Sequence, residues 1–394
     1  MSNLVPVDEA QRRLIALATR LPSESLPVHN AWNHYLAEDL VAKRDQPAAD
    51  MSAMDGYAIR FEDRNGPWAL IGECKAGSPP CRALQSGETA RIFTGSLLPE
   101  GADTVVMQEN VAADGPTIRL TEEPSQSRGR HVRHKGGDFE RGDRGLASGS
   151  LLNPAALGQA VIAGYGELLV GQRPRVAVVS TGDELVAPGE ATLPHQIPAS
   201  NDVMVASLLS GMTTETRNLS RIPDDMETLC KALESAQDCD VIVTIGGASV
   251  GDHDLVGPAF RKLGAEIDFY KIAMQPGKPV MAGKWGKTVI LALPGNPASA
   301  FVSATLFLLP LVRYMAGASQ YLPEKQSAAT TVPLPENGAR AQFLRAKVGP
   351  DGITPYDSQD SAKLSVLSAS NALLCRPAGA EAADVGEMVA FIAI

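Results

Sequence analysis

Residues 243–256, VTIGGASVGDHDLV, join a β-branched run to a glycine-rich turn and then to a helical pattern. A turn of that kind presents backbone N–H groups to an anion. Gly246 and Gly251 keep the G-x-x-x-x-G spacing of a Walker-type loop. The Lys and Ser/Thr that complete such a loop are absent; Asp252 and His253 stand there, with Asp254 following. Carboxylates in that place would repel a bare phosphate. A hard cation reconciles the two features, because Mg²⁺ takes one or two carboxylates together with phosphate oxygens and water. The stretch therefore reads as a Mg²⁺-assisted phosphate loop, with Gly246, Gly247, Ser249 and Gly251 on the substrate side and the metal where a lysine would stand.

Two more stretches carry the same kind of chemistry. STGDEL (180–185) ends a β-run with Thr181-Gly182 and presents Asp183 and Glu184. LPGNPAS (293–299) sets Pro294, Gly295, Asn296 and Pro297 in a rigid turn. Each alone is an ordinary strand-to-helix turn; all three at one end of one sheet would form a ligand site. Glu184, Asp252 and Asp254 are the expected metal ligands, and RIPDDME adds Asp224 or Asp225. FYKIAMQPGKPV supplies Lys271 and Lys278, ordinary surface lysines in isolation and charge-stabilising groups beside a phosphate. No G-x-G-x-x-G and no G-x-x-x-x-G-K-[ST] occurs, so nothing favours a dinucleotide or a Walker-type nucleotidase. No Ser-His-Asp or Cys-His order stands out, and the six histidines lack metal-ligand spacing. Outside this set, MSAMDGYAIR places Asp55 before Gly56, the sequence of a hairpin turn. HVRHKGGDFERGD gathers charge around Asp138, which in most loops is solvated surface.

The elements that must position these residues show in the texture of the chain. RVAVVST, DVIVTIGG and TVILALPG are continuous apolar runs of the sort buried on both faces of a parallel sheet. Amphipathic stretches at Asn201–Ser210, Met226–Ala236 and Ala259–Leu263 alternate with them, and SAFVSATLFLL reads as a buried closing helix. Ligands of such sheets bind beyond the carboxyl ends of the strands. The expected fold class is α/β plus β, multidomain. A central doubly wound parallel α/β domain spans 172–322, a small β-rich domain 44–138, and a C-terminal β-barrel-like domain 323–394. A discontinuous helical connecting domain, 1–43 and 139–171, holds helices at 8–20 (capped by Asp8), Val28–Leu40 and Pro154–Ala163.

Composition limits the partners. With 394 residues and 44% hydrophobic side chains, the chain supports several packed cores. A net charge of −10 argues against nucleic acid as partner. Five scattered cysteines without a C-x-x-C read as reduced thiols of a cytoplasmic protein. The N-terminus lacks the apolar core of a signal peptide. The apolar stretch Ala298–Val312, which follows the Pro294–Pro297 turn, falls short of the roughly 20 residues that span a bilayer, so no membrane is expected.

Taken in order, MDGYA, TG (Thr94-Gly95), PEGADTVV, KGGD, STGDEL, SND, GGASVGDHD, QPGKP and LPGNPAS resemble the molybdopterin molybdotransferase family, bacterial relatives of the gephyrin E domain. FLRAKV and QDSAKL match weaker signatures, and the resemblance runs over nearly the whole chain. It implies Mg²⁺-dependent insertion of molybdate into adenylylated molybdopterin with release of AMP, with a molybdopterin adenylyltransferase as the upstream partner. It implies a homodimer with the site between subunits. By motif, it gives catalytic roles to Asp55, Thr94, Asp138, Glu184, Asp224, Asp254 and Lys271, and places Arg345 and Ser361 where molybdate or the pterin is handled. One departure stands out: Gln275 occupies a position where many members carry Lys, and Lys278 would have to compensate. Molybdate and water remain alternative attacking groups, and tungstate an alternative oxyanion. Two other readings are an adenylyltransferase-type activity of the α/β domain, which the flanking domains disfavour, and a gephyrin-like scaffold without catalysis, which the retained acids disfavour.

Overall fold

The computed structural model describes residues 4–124, 126–247 and 254–394. Its centre is a six-stranded sheet in the order Glu215–Ile222, Arg175–Thr181, Val241–Ile245, Thr288–Leu293, Met281–Trp285, Glu266–Tyr270. Successive side chains of a strand point to opposite faces, and both faces here are apolar. Val176, Val178, Val241 and Val243 pack with Ala10, Leu14, Val205 and Leu308 on one side. Ala177, Val179 and Ile242 pack with Leu229, Leu233, Ala259 and Phe260 on the other. Helices Val7–Leu17, Asn201–Leu208 and Pro297–Ser303 with its continuation to Met315 thus cover the first face. Met226–Glu234 and Val256–Lys262 cover the second. Each fully buried Val or Leu contributes about 1.5–3 kcal/mol, which is why these uninterrupted apolar runs are so plain in the sequence.

Three expectations are corrected. The sheet is not wholly parallel, because Met281–Trp285 runs antiparallel to both neighbours. Only Gly286 and Lys287 separate it from Thr288, a hairpin connection, and a two-residue link reverses the chain. The helix expected at Val28–Leu40 is absent apart from a single 3₁₀ turn at Val28–Asn30. Asn33 takes a positive φ of 60°, and the N–H groups of Asn33, Leu36 and Ala37 bond instead to Leu152, Ser150 and Leu169. Finally, the first helix is preceded by Pro6, so Asp8 sits within its first turn and not at its cap.

The connecting unit pairs Ser23–Pro27 with Glu167–Gly171 and holds helix Pro154–Ile162. Asn153 caps that helix by accepting the Ala156 N–H at 2.8 Å. The β-rich region is a six-stranded sheet, ordered Thr104–Met107, Gly56–Ile59, Glu88–Ile92, Trp68–Cys74, Thr117–Leu120, Val111–Asp114. In the C-terminal sheet, Met274–Gln275 of the central unit adds in parallel to the first residues of Ala341–Gly349. This shared ladder ties the QPGKP loop to the last domain. The segment Pro297–Met315, 19 residues of mean hydropathy 1.5, is long and apolar enough to cross a bilayer, but 83% of it is buried inside the protein. It is a core helix.

Candidate active site at the carboxyl ends of the sheet

The parallel strands Arg175–Thr181 and Val241–Ile245 end side by side, with Ser180 opposite Ile245 and Ile245 opposite Leu293. Their loops enclose a cavity of about 90 Å³ walled by Thr181, Glu184, Asn201, Gly246, Gly295 and Pro297, among others. The three stretches singled out by sequence therefore do converge. The approach is close: a Cβ on Gly295 would lie 3.6 Å from the Gly246 Cα, and one on Gly246 would lie 3.1 Å from the Thr181 carbonyl. Gly246 and Gly247 have φ of 88° and 63°, conformations other residues rarely adopt. The loop after Thr181 folds back as a two-residue ribbon, Leu185–Val186 against Ile197–Pro198, and roofs the cavity.

Not every amide is available. The Gly246 N–H donates to Leu293 O at 3.1 Å, so this residue closes the turn and faces the cavity through its Cα. The N–H groups of Gly295 and Asn296 have no protein acceptor among the described residues. Asn201 donates to Gly295 O at 2.5 Å, and Asp202, only 3% exposed, accepts from Val203 N and Asn218. These two belong to the SND motif. Asn201 holds the PGNP turn in place, while Asp202 ties the start of its helix to the strand at Asn218, roles that only the third dimension reveals.

Next to this cavity, the Asp224 N–H donates to Asp183 at 3.1 Å. Asp225 instead caps helix Met226–Glu234, accepting both the N–H and the hydroxyl of Thr228 at 2.8 Å, which holds its carboxyl below the usual range. Of the acidic pair, Asp224 is the one at the sheet end. Burial, and then the charge of Asp254, push the Tyr270 phenol up. Lys271 places its Nζ 5.3 Å from the centre of that ring. Asp254, Tyr270 and Lys271 thus share one neighbourhood. Ser249, Gly251 and Asp252 lie outside the described residues.

The C-terminal domain reaches the same place. Ser361 Oγ accepts from Asn296 Nδ2 at 3.1 Å, and Ser361 O accepts the Ala298 N–H at 3.0 Å. Arg345, 1% exposed, donates to the neighbouring Asp360 O at 3.1 Å, while its Nε is buried without an acceptor. Burial pulls the Arg345 pKa down. At the QPGKP turn, Arg340 Nη2 donates to Gln275 Oε1 at 3.0 Å. The position that departs from the family is thus met by a guanidinium the sequence reading overlooked. Among the described residues, Lys271, Lys278, Arg340 and Arg345 make no ion pair with a carboxylate. Lys271, through Tyr270 and Asp254, and Arg345, through Asp360 next to Ser361, are the two of these cations tied to the loop cluster, in a chain of net charge −10.

Comparison with known proteins agrees along the whole chain. The family models for the MoeA N-terminal region (domains I and II), a probable molybdopterin-binding domain and the MoeA C-terminal region (domain IV) match residues 5–164, 177–314 and 327–394. A molybdopterin molybdenumtransferase of Haemophilus influenzae is 35% identical over 87% of this chain and 85% of its own. The chain belongs to the molybdopterin molybdenumtransferase (MoeA) family. A second relative, molybdopterin molybdenumtransferase 2 of Mycobacterium tuberculosis, is 34% identical over 94% of this chain and 95% of its own. The crystal structure of the molybdopterin biosynthesis MoeA protein of Pyrococcus horikoshii superposes with a TM-score of 0.83 at 28% identity, over all of both chains. This MoeA-family chain is therefore an enzyme of molybdenum cofactor biosynthesis.

The MoeA-type β-rich region carries its own cluster. Asp55 Oδ1 accepts the Thr94 N–H at 2.8 Å and the Thr94 hydroxyl at 2.9 Å. Those two bonds, with the Arg91 charge, hold the Asp55 carboxyl below the usual range. Arg91 stacks between Tyr57 and Phe93 and donates to Gly56 O. Gly56 is obligatory, since a Cβ there would fall 2.0 Å from Val106 O. Asp138 lies in a different groove, with Phe139, Asp143 and Arg144. The walls of the sheet-end cavity contain none of Asp55, Thr94 and Asp138. Within one chain, then, the expected catalytic residues fall into separate places.

The donor set also bears on the metal. Among the described residues, no three His, Cys, Asp or Glu side chains are grouped closely enough to form a protein cage. Mg²⁺ does not require one, as it retains waters and takes one or two carboxylates plus phosphate oxygens. Glu184 supplies an exposed carboxylate in the cavity wall and Asp254 another acid at the next loop. The residues present fit that ion.

Proposed function

We propose that this chain is a molybdopterin molybdotransferase that inserts molybdate into adenylylated molybdopterin, releases AMP and yields molybdenum cofactor with Mg²⁺ as cofactor. The observation that carries this reading is the sheet-end cavity, where the Glu184 carboxylate, the Gly246 and Gly295 turns and the Asn296–Ser361 contact meet. A pyrophosphate-bearing substrate needs such a mixture of exposed amides, cations and a carboxylate. Mg²⁺, held by Glu184 and Asp254 with Asp252 as a further acid of that loop, would screen the pyrophosphate charge. Gly295 and Asn296 offer their free N–H groups to a phosphate oxygen. Lys271 sits where it balances charge on the leaving AMP phosphate, and Asp224 and Asp254 orient what the metal holds. Arg345, with its unmatched Nε, and Ser361 suit the tetrahedral oxyanion, and Lys278 and Arg340 add positive field at the mouth.

In this reading the enzyme is a cytoplasmic homodimer, supplied by a molybdopterin adenylyltransferase, and the Asp55–Thr94 cluster of one subunit with its Asp138 completes the site of the other. Their absence from the cavity walls within one chain supports that arrangement. So does a groove of about 640 Å³ in which the walls include Tyr35, Phe301 and Leu309. Leu151, Leu322 and Ile394 on its rim are 44%, 45% and 37% exposed, an apolar surface suited to a second copy.

The test is turnover of adenylylated molybdopterin by the purified protein with Mg²⁺ and a molybdate titration, following AMP. AMP release that requires both ions supports the proposal. A nucleotide that stays bound and intact at every molybdate level would sink it.

A further inference from the structure

A second cavity of about 170 Å³ lies where Asn33, His34 and Tyr35 meet Arg173 and Arg313. At about 30 Å³ per water, it has room for roughly five or six. Its walls contain two arginines and no Asp or Glu. None of these residues belongs to the motifs that carry the family resemblance.

The donors around it are poorly matched by protein acceptors. Arg173 Nη2 donates to Trp32 O at 2.7 Å and to His34 Nδ1 at 2.9 Å. Its Nε is buried and has no acceptor. Accepting at Nδ1 leaves the His34 proton on Nε2, a further donor, and burial together with the Arg173 charge pulls the His34 pKa down, so the ring is neutral. Arg313, in the last turn of helix Leu309–Met315, makes no side-chain hydrogen bond or ion pair among the described residues. Neither does Arg173 pair with a carboxylate; Glu24 acts on it only at longer range. Both side chains are half-buried, with the Arg173 Nε fully so, and a guanidinium drawn partly out of water without a counter-charge is costly. Two such groups side by side, in a chain with 45 acids and 35 bases, offer a place for an anion from outside. Guanidinium forks match the spacing of oxyanion oxygens in bidentate fashion.

We propose that this cavity is a binding site for a small free oxyanion of the sulfate or phosphate type, separate from the sheet-end site. Arg173 and Arg313 supply the charge, and His34 and Tyr35 supply neutral donors.

Isothermal titration of the full-length protein with sulfate, and separately with phosphate, tests this at constant ionic strength set with chloride. The expected result is a saturable site, distinct from any binding at the sheet end, whose affinity falls at least tenfold in Arg313→Met and less in Arg313→Lys, which keeps the charge but loses the fork. Circular dichroism confirms that both variants fold. Lys271→Met, which removes a cation from the sheet-end site, leaves this binding in place. No saturable binding by the wild type overturns the proposal. So does loss of binding in Lys271→Met with none in Arg313→Met, which would put the anion at the sheet end. Sedimentation provides the last arm: if the wild type binds no sulfate and Arg313→Met shifts it to a smaller species, the occupant is a carboxylate of a second copy and the free-anion site is refuted.

Discussion

Thr94 directs two donors, its backbone N–H and its hydroxyl, at one oxygen of Asp55, at 2.8 and 2.9 Å. Hydrogen bonds to a carboxylate favour its charged form, so the Asp55 pKa is depressed. A depressed folded-state pKa means the ionised arrangement is fully present above the ordinary carboxylate range and is lost as pH falls through the depressed value. Thr94→Val removes the hydroxyl bond and keeps the N–H bond. The Asp55 carbon resonance should then titrate at higher pH, and the acid limb of turnover should move up with it, with roughly a tenfold loss of rate. An unchanged Asp55 midpoint in Thr94→Val would show that the hydroxyl has no electrostatic part.

Asp224 and Asp225 make opposite predictions although they are adjacent. Asp225→Ala strips the cap from helix Met226–Glu234 and should lower the melting temperature by roughly 2 °C with turnover nearly unchanged. Asp224→Asn should leave melting alone and reduce turnover by roughly tenfold or more. Thermal melts and AMP release on both variants decide it; the reverse pattern would exchange their roles.

This pair shows where sequence stops being readable. The three loops could be read because β-branched runs mark buried parallel strands, and a strand's carboxyl end fixes where its loop must go. Which of two neighbouring acids caps a helix depends on where the helix begins, and only the structure places Thr228 within reach of Asp225. The Val28–Leu40 segment misled for a related reason. Its apolar residues sit at helical spacing, but their N–H groups find better partners in residues 150–152 and 169, more than a hundred positions away. The reversed direction of Met281–Trp285 follows from the two-residue turn at Gly286 and Lys287, which the three apolar runs by themselves do not reveal. Arg340 escaped notice because its partner, Gln275, lies 65 residues earlier, on a strand that joins another domain's sheet.

Gly277 is a structural test of the QPGKP turn. Its φ is 104°, and a Cβ would come within 2.6 Å of Ser303 Oγ and 2.9 Å of Met274 Cε. Gly277→Ala must therefore either strain the backbone or push the turn off helix Pro297–Ser303. The expected cost is about 1–3 kcal/mol of stability. Because the turn also carries Lys278 and Gln275, the molybdate KM should rise as well. Denaturant unfolding and molybdate titration measure the two effects. A variant with wild-type stability would mean the turn has slack that the close contacts deny.

The sharpest prediction concerns the division of the site between subunits. Asp55 and Glu184 lie in different places within one chain, so Asp55→Asn and Glu184→Gln should each reduce turnover strongly, by roughly a hundredfold. Suppose the β-rich region of one subunit faces the sheet end of its partner. A mixed dimer of the two variants then has one site with both substitutions and one site with neither. Random exchange makes about half of all dimers mixed, and half of their sites intact, so activity should return to about a quarter of wild type. Each variant is inactive by itself, so the regained rate cannot come from either parent. Refolding or subunit exchange of the two variants together, followed by AMP release, gives the answer. If both residues acted within one chain, every site in every mixed dimer would carry a defect, and the mixture would be as inactive as its parents.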